Sequence, residues 1–159
     1  AGWCDLSQLL VLPMAAWVAT AVRIPGPSSI SRVVVRGVSL DVKRDDQWRL
    51  SGDLGAGVSG NKARKFLEFA TTAVGDERRL VVSMGGHQSN AMVAIAALCR
   101  ARNLKFAYLT KPVPRWLRKN PAGNFARGRA LGVELVPLGH EEYARCVWDE
   151  TYRSDVLRD

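Results

Sequence analysis

Two stretches of this sequence place chemistry-bearing residues at the start of a helix. In Ser59-Gly60-Asn61-Lys62-Ala63-Arg64-Lys65, a glycine-rich loop delivers Lys62 and Lys65 three residues apart, on one face of a helix. Cations at the positive end of a helix are electrostatically unfavourable. The arrangement makes sense if the site binds an anion, or if one lysine works as the neutral amine that Schiff-base chemistry with a carbonyl requires. Taken alone, the stretch is better explained as a solvated basic helix start. In Gly85-Gly86-His87-Gln88-Ser89-Asn90, two glycines let the backbone approach a ligand closely. Ser89 and Asn90 then stand at a helix N-terminus, where free N–H groups and the dipole favour a carboxylate or phosphate. Simple helix capping explains this second stretch, taken alone, somewhat better.

The elements that must position these residues follow from hydrophobic spacing. Val33–Val35 and Val38–Val42 read as short β-branched strands joined by Gly37. Residues 47–60, with Gly52, Gly55, Gly57 and Gly60, read as a flexible loop. Phe66, Leu67, Phe69, Ala70 and Val74 predict one helix from about Asn61 to Gly75-Asp76. An alternation follows: strand Leu80–Met84, helix Ser89–Arg102, strand Lys105–Leu109, helix Asn124–Leu131, strand Val133–Val136, and helix again from Glu141. Short connections between alternating elements imply parallel strands and right-handed crossovers. The fold class is therefore α/β, a mostly parallel sheet sandwiched by helices. In such sheets ligands sit at the carboxyl ends of the strands, where Gly85–Asn90 falls.

Lys43-Arg44-Asp45-Asp46, Gly60–Lys65 and Gly85–Asn90, in this order and spacing, resemble the 1-aminocyclopropane-1-carboxylate deaminase/D-cysteine desulfhydrase family. The resemblance runs from about Ile30 to Leu138 and includes Gly123–Gly132 as the family's next helix. It implies a tryptophan-synthase β-like fold and pyridoxal 5'-phosphate as cofactor. It further implies that Lys62 carries the cofactor covalently and that Lys65 reaches its phosphate. Ser89 would serve the substrate carboxylate or proton transfer, Asn90 would meet the ring hydroxyl, and Asn61 would support the lysine. The implied reaction is a lyase or deaminase step on a small amino acid. D-cysteine desulfhydration, giving pyruvate, ammonia and sulfide, is the leading expectation, and cyclopropane ring-opening deamination is the alternative. Two positions depart from the family pattern. Ala91 stands where His or Gln is common, and His87 where an apolar residue is common, which bears on substrate identity more than on cofactor use.

Composition narrows the remaining classes. The 159 residues are 47% hydrophobic and 24% charged, an ordinary globular balance. The longest apolar run, Leu9–Val22, is shorter than the roughly 18–20 residues that span a bilayer, so no membrane partner is expected. The net charge of +8 comes from the acid-free stretch Arg100–Gly132, without which the chain is close to neutral. A local patch of that kind binds phosphates or keeps a surface solvated, and a nucleic-acid partner is not expected. Three scattered cysteines and two histidines without an acid cluster argue against a disulfide framework or a metal site, and for an intracellular setting, cytoplasmic or organellar.

The domain organisation expected is an extension or targeting remnant over residues 1–29, part of a cofactor-lysine domain over 30–75, and a small α/β domain over 76–159. A start at Ala1 and the absence of a second glycine-rich loop suggest a fragment, the amino-terminal half of a longer, homodimeric enzyme. A catalytically incomplete anion- or partner-binding domain is the reading from another class. In either case the isolated chain is expected to be inactive.

Overall fold

The computed structural model describes Val22, residues 24–72 and residues 80–157. They fall in two compact units, one within residues 16–73 and the other within residues 74–159. The Leu9–Val22 run, apart from Val22, and the expected helix end at Gly75-Asp76 lie outside the described residues.

The first unit opens with an antiparallel hairpin of β1 (Ile30–Val35) and β2 (Val38–Lys43). Its two-residue turn has positive φ at Arg36 (50°) and Gly37 (81°), the twist that lets strands pair directly across so short a loop. Arg32 and Asp41 face each other and pair at 2.9 Å. The Pro25–Ser29 segment has no regular structure, but Trp48 Nε1 donates to Gly26 O at 2.7 Å and Arg44 N donates to Ser29 O at 2.9 Å.

Two expectations fail here. Residues 47–60 are not a free loop. Leu50 N donates to Val58 O at 2.9 Å, Arg49 bridges Ser59, and Leu50 is fully buried. The glycines serve a tight fold-back, since a Cβ on Gly55 would lie 3.0 Å from the Leu50 carbonyl carbon. The predicted single helix is also two, α1 (Gly60–Lys65) and α2 (Leu67–Thr71). Phe66, with ψ at 18°, leaves the helical well between them, although its N–H still donates to Lys62 O at 2.9 Å.

The second unit is an α/β layer structure. Strands β3 (Leu80–Met84), β4 (Lys105–Thr110) and β5 (Glu134–Pro137) form a parallel sheet with β4 in the middle. Helices α3 (Asn90–Ala101), α4 (Arg115–Lys119), α5 (Gly123–Ala130), α6 (His140–Trp148) and α7 (Glu150–Val156) flank it. On one face Leu109 packs with Leu138 and Cys146, joined by Val82, Tyr143 and Tyr152. Strand alternation sends Phe106, Tyr108 and Thr110 to the other face, and α3 packs on β4 and α5. The short helix α4 was not anticipated. It has one buried residue, Leu117, and sits between Pro114 and Pro121, so no apolar period marks it.

The inner helices end in matching ways. After α3, Leu104 N donates to Cys99 O and Asn103 N to Arg100 O, with Asn103 at φ 54°. After α5, Val133 N donates to Gly128 O and Gly132 N to Arg129 O, with Gly132 at φ 88°. Both are left-handed C-terminal caps that return the chain to the sheet. The contact between these helices is close. A Cβ on Gly128 would come within 2.8 Å of Met92 Cε. Two cations of the basic stretch are engaged in helix ends: Arg100 donates to Ala130 O at 3.0 Å and Arg102 to Leu98 O at 3.4 Å.

Among the described residues no helix is long and apolar enough to cross a membrane. Cys99 and Cys146 are free and buried. Burial pushes the Cys99 thiol up to about 12 and raises that of Cys146, so the reactive thiolate is scarce at both. Iodoacetamide at pH 8 should therefore label neither cysteine in the folded protein and both in denaturant, as read by peptide mass mapping. Rapid labelling of Cys99 in the native state would contradict this packing.

Candidate functional site

The residues singled out in the sequence occupy two places, one in each unit. Asn61, Lys62 and Lys65 lie on α1, and Ser89 and Asn90 stand at the start of α3.

Helix α1 is held at its start by backbone. Gly60 adopts φ 66° and its N–H donates to Trp48 O at 2.8 Å. Ser59 is extended, and its side chain accepts no capping hydrogen bond. The three cations of Lys62-Ala63-Arg64-Lys65 have different surroundings. Arg64 lies over the buried Trp48 ring at 4.4 Å, donates to Ser28 Oγ at 2.6 Å and pairs with Asp45 at 3.1 Å. Ser28 in turn donates to Asp45, and Lys43 pairs with it at 3.2 Å. Lys65 is exposed, with Nζ 5.8 Å from the centre of the Phe66 ring. Lys62 is half-buried and has no ion-pair or hydrogen-bond partner for its amine among the described residues.

The Lys43–Asp46 run is therefore structural as well as recognisable. Asp45 ties the segment before β1 to α1, and Arg44 pairs with Asp46 at 2.6 Å. Asp45, with Ser28 donating to it and Arg64 and Lys43 beside it, is held down at about 2.

At the second place, Ser89 Oγ accepts from Ala91 N at 3.2 Å and Met92 N at 3.3 Å, an ordinary helix cap. The Tyr108 ring rises from β4 beneath the loop. Its hydroxyl hydrogen-bonds to Ser89 and lies 3.5 Å from Gly86 O. Burial raises the Tyr108 phenol, which keeps its proton at neutral pH. Gly85 is required by this contact, since a Cβ there would sit 2.2 Å from the Tyr108 hydroxyl oxygen. Gly86 meets nothing within 4 Å, so the pair of glycines has one obligatory member by contact.

Gln88 is a tie. Its Oε1 accepts from Asn124 N at 2.8 Å and Phe125 N at 3.4 Å, while its Nε2 donates to Ala122 O at 3.2 Å. Asn124 Nδ2 donates to Gln88 O at 3.0 Å and to Asn90 Oδ1 at 2.6 Å. His87 Nε2 meets Lys111 O at 2.9 Å, and its ring packs edge-on against Phe125. Sequence reasoning missed Tyr108, Gln88 and Asn124. The one available signal was the glycine at 123; in the structure Gly123 opens α5 with φ 59°, and its missing Cβ leaves room for Gln88 Oε1.

No family model matches the chain. Over 109 residues, 69% of the chain, it is 34% identical to a protein of Thermotoga maritima named "Putative 1-aminocyclopropane-1-carboxylate deaminase". The likeness is to part of that protein. The chain spans 32%, about a third, of that protein's length.

Two outcomes follow from these contacts. Gly85→Ala should lower stability by about 1–3 kcal/mol through overpacking, and adding Tyr108→Phe should recover part of it by removing the colliding oxygen; urea midpoints of the wild type and the two variants check this. Asp45 is an acid whose folded value lies below its unfolded one, so it stabilises above about pH 4 and its contribution fades as pH falls toward about 2. Acid unfolding should accordingly shift to higher pH in Arg64→Met, followed by tryptophan fluorescence of the Trp48 region.

Proposed function

We propose that the chain belongs to the 1-aminocyclopropane-1-carboxylate deaminase/D-cysteine desulfhydrase family, has the tryptophan-synthase β-like fold, and forms part of a pyridoxal-phosphate-dependent deaminase or lyase of a small amino acid. The observation that carries this reading is the different standing of the three cations on α1. Arg64 is taken up by Asp45, Ser28 and Trp48, and Lys65 lies by Phe66, while Lys62 keeps an unpaired amine, half-buried, among the described residues. An amine that no carboxylate holds is available to a carbonyl once it has lost its proton. The 34% identity over 109 residues supports the same family.

The residue types on α1 and at the start of α3, each unit taken by itself, suit such a cofactor. Lys62 would hold it covalently, Lys65 would supply a cation to its phosphate, Asn90 a donor to its ring oxygen, and Asn61 would stand beside the lysine. When bound, the cofactor supplies the electron sink that stabilises charge on the substrate carbon. The Lys62 amine, when not bound to the cofactor, would be the base that takes or returns a proton. Ser89 Oγ accepts from two backbone N–H groups, which leaves its own O–H proton to offer, either to Tyr108 or to a substrate carboxylate. The name of the Thermotoga maritima relative favours 1-aminocyclopropane-1-carboxylate as substrate over D-cysteine. Ala91, after Asn90, offers that substrate no polar side chain.

Incubation with pyridoxal 5'-phosphate followed by borohydride should fix the cofactor on the peptide that contains Lys62. Lys62→Ala should abolish the adduct while leaving the far-ultraviolet circular dichroism unchanged, because alanine in a helix costs no propensity. An adduct on Lys65 or Lys43 in place of Lys62 would overturn the assignment.

A further inference from the structure

We infer that Asn124 is a positioning residue, which holds the Asn90 side chain so that its amide N–H group, and not its carbonyl oxygen, is turned toward the ligand. This rests on the reading of Asn90 as a cofactor-side residue. The orientation follows from which groups can only accept and which can only donate. The backbone carbonyl of Gln88 can only accept, so the Asn124 atom 3.0 Å from it is the donor Nδ2. That nitrogen has two protons, and its second contact, at 2.6 Å, is to Asn90. The Asn90 atom there must accept, so it is Oδ1. Asn90 Nδ2 is left over, with no partner among the described residues on an exposed side chain at the carboxyl end of β3.

The frame around Asn124 is fixed by the same logic. Backbone N–H groups of Asn124 and Phe125 can only donate, so Gln88 turns Oε1 to them and Nε2 to Ala122 O. A side chain at position 123 would displace that amide, because its Cβ would lie 2.6 Å from Gln88 Oε1. Asn124 is thus held by its backbone to one end of Gln88 and by its side chain to the other. An outward-facing amide N–H suits an anionic oxygen, of the kind carried by a phenolate-type ring hydroxyl or by a carboxylate, and would repel neither.

The test is hydrogen exchange of side-chain amides by NMR on the 15N-labelled chain. Without ligand, the Asn124 amide protons should exchange slowly and the Asn90 amide protons freely. The reverse pattern overturns the inference. In Asn124→Asp the carboxylate can only accept, while its backbone N–H still caps against Gln88. Asn90 must then turn Nδ2 inward, and its amide protons should slow by roughly two- to tenfold, the range set by one net hydrogen bond. Unchanged Asn90 exchange in a folded Asn124→Asp variant counts against it, and the wild-type pattern decides the matter if that variant does not fold. Titration with pyridoxal 5'-phosphate and, separately, with 1-aminocyclopropane-1-carboxylate identifies the anionic oxygen: whichever moves the wild-type Asn90 amide resonance supplies it, and the shift should be lost in Asn124→Asp. If neither probe moves that resonance while the exchange pattern holds, the orientation is supported and the cofactor reading of Asn90 fails.

Discussion

The side-chain amide of Gln88 settles the start of α5 from the loop after β3. A helix begins with backbone N–H groups that have no partner within the helix, and α5 follows Ala122, whose side chain cannot cap. Gln88 fills that role from 36 residues away in the chain, and its own backbone carbonyl then receives Asn124. The loop after β3 and the start of α5 are in this way one polar construction. The other unit is organised around an equivalent demand. Arg64 and Asp45 bring opposite charges together beside Trp48, with Ser28 bound to both. Polar groups that leave bulk water need partners, and those partners decide where the neighbouring chain can run.

This explains which parts of the architecture were legible in the sequence. The strand–helix alternation from Leu80 to Trp148 could be read because its strands are short continuous apolar runs, as in a sheet covered on both faces, and its helices place apolar residues every third or fourth position. The same signal failed where contacts are not periodic. The Leu50–Val58 bridge is made by backbone, which carries no residue code, and four glycines disguised it as a loose loop. Phe66 has the apolar character of its helical neighbours, so the break there leaves no trace in composition. Of the candidate site, the residue types at Lys62 and Ser89 could be picked out, but their surroundings could not. Nothing near Arg64 in sequence shows that it, and not Lys62, takes the carboxylate of Asp45, since the two are 19 positions apart.

The helix cap at Ser89 also shows that the plain and the functional explanations of a motif need not compete. The oxygen of that hydroxyl serves the helix, and its proton is a separate resource. The same division runs through Gly85–Asn90. Gly85 accommodates Tyr108, Gln88 caps a neighbouring helix, and Asn90 gives its oxygen to Asn124, each atom having one task.

The contact of Gly128 with Met92 has a consequence for how such sequences drift. A Cβ at 128 would press on the tip of a flexible thioether, which can move, and would stand at an ordinary contact distance of 3.5 Å from Val133 Cγ2. Positions 92 and 128 should therefore covary among relatives. Alanine at 128 is admissible where the methionine tip at 92 turns aside, and more readily where 92 carries a shorter side chain. The distance between two helices is here recorded as a joint preference of two columns in an alignment.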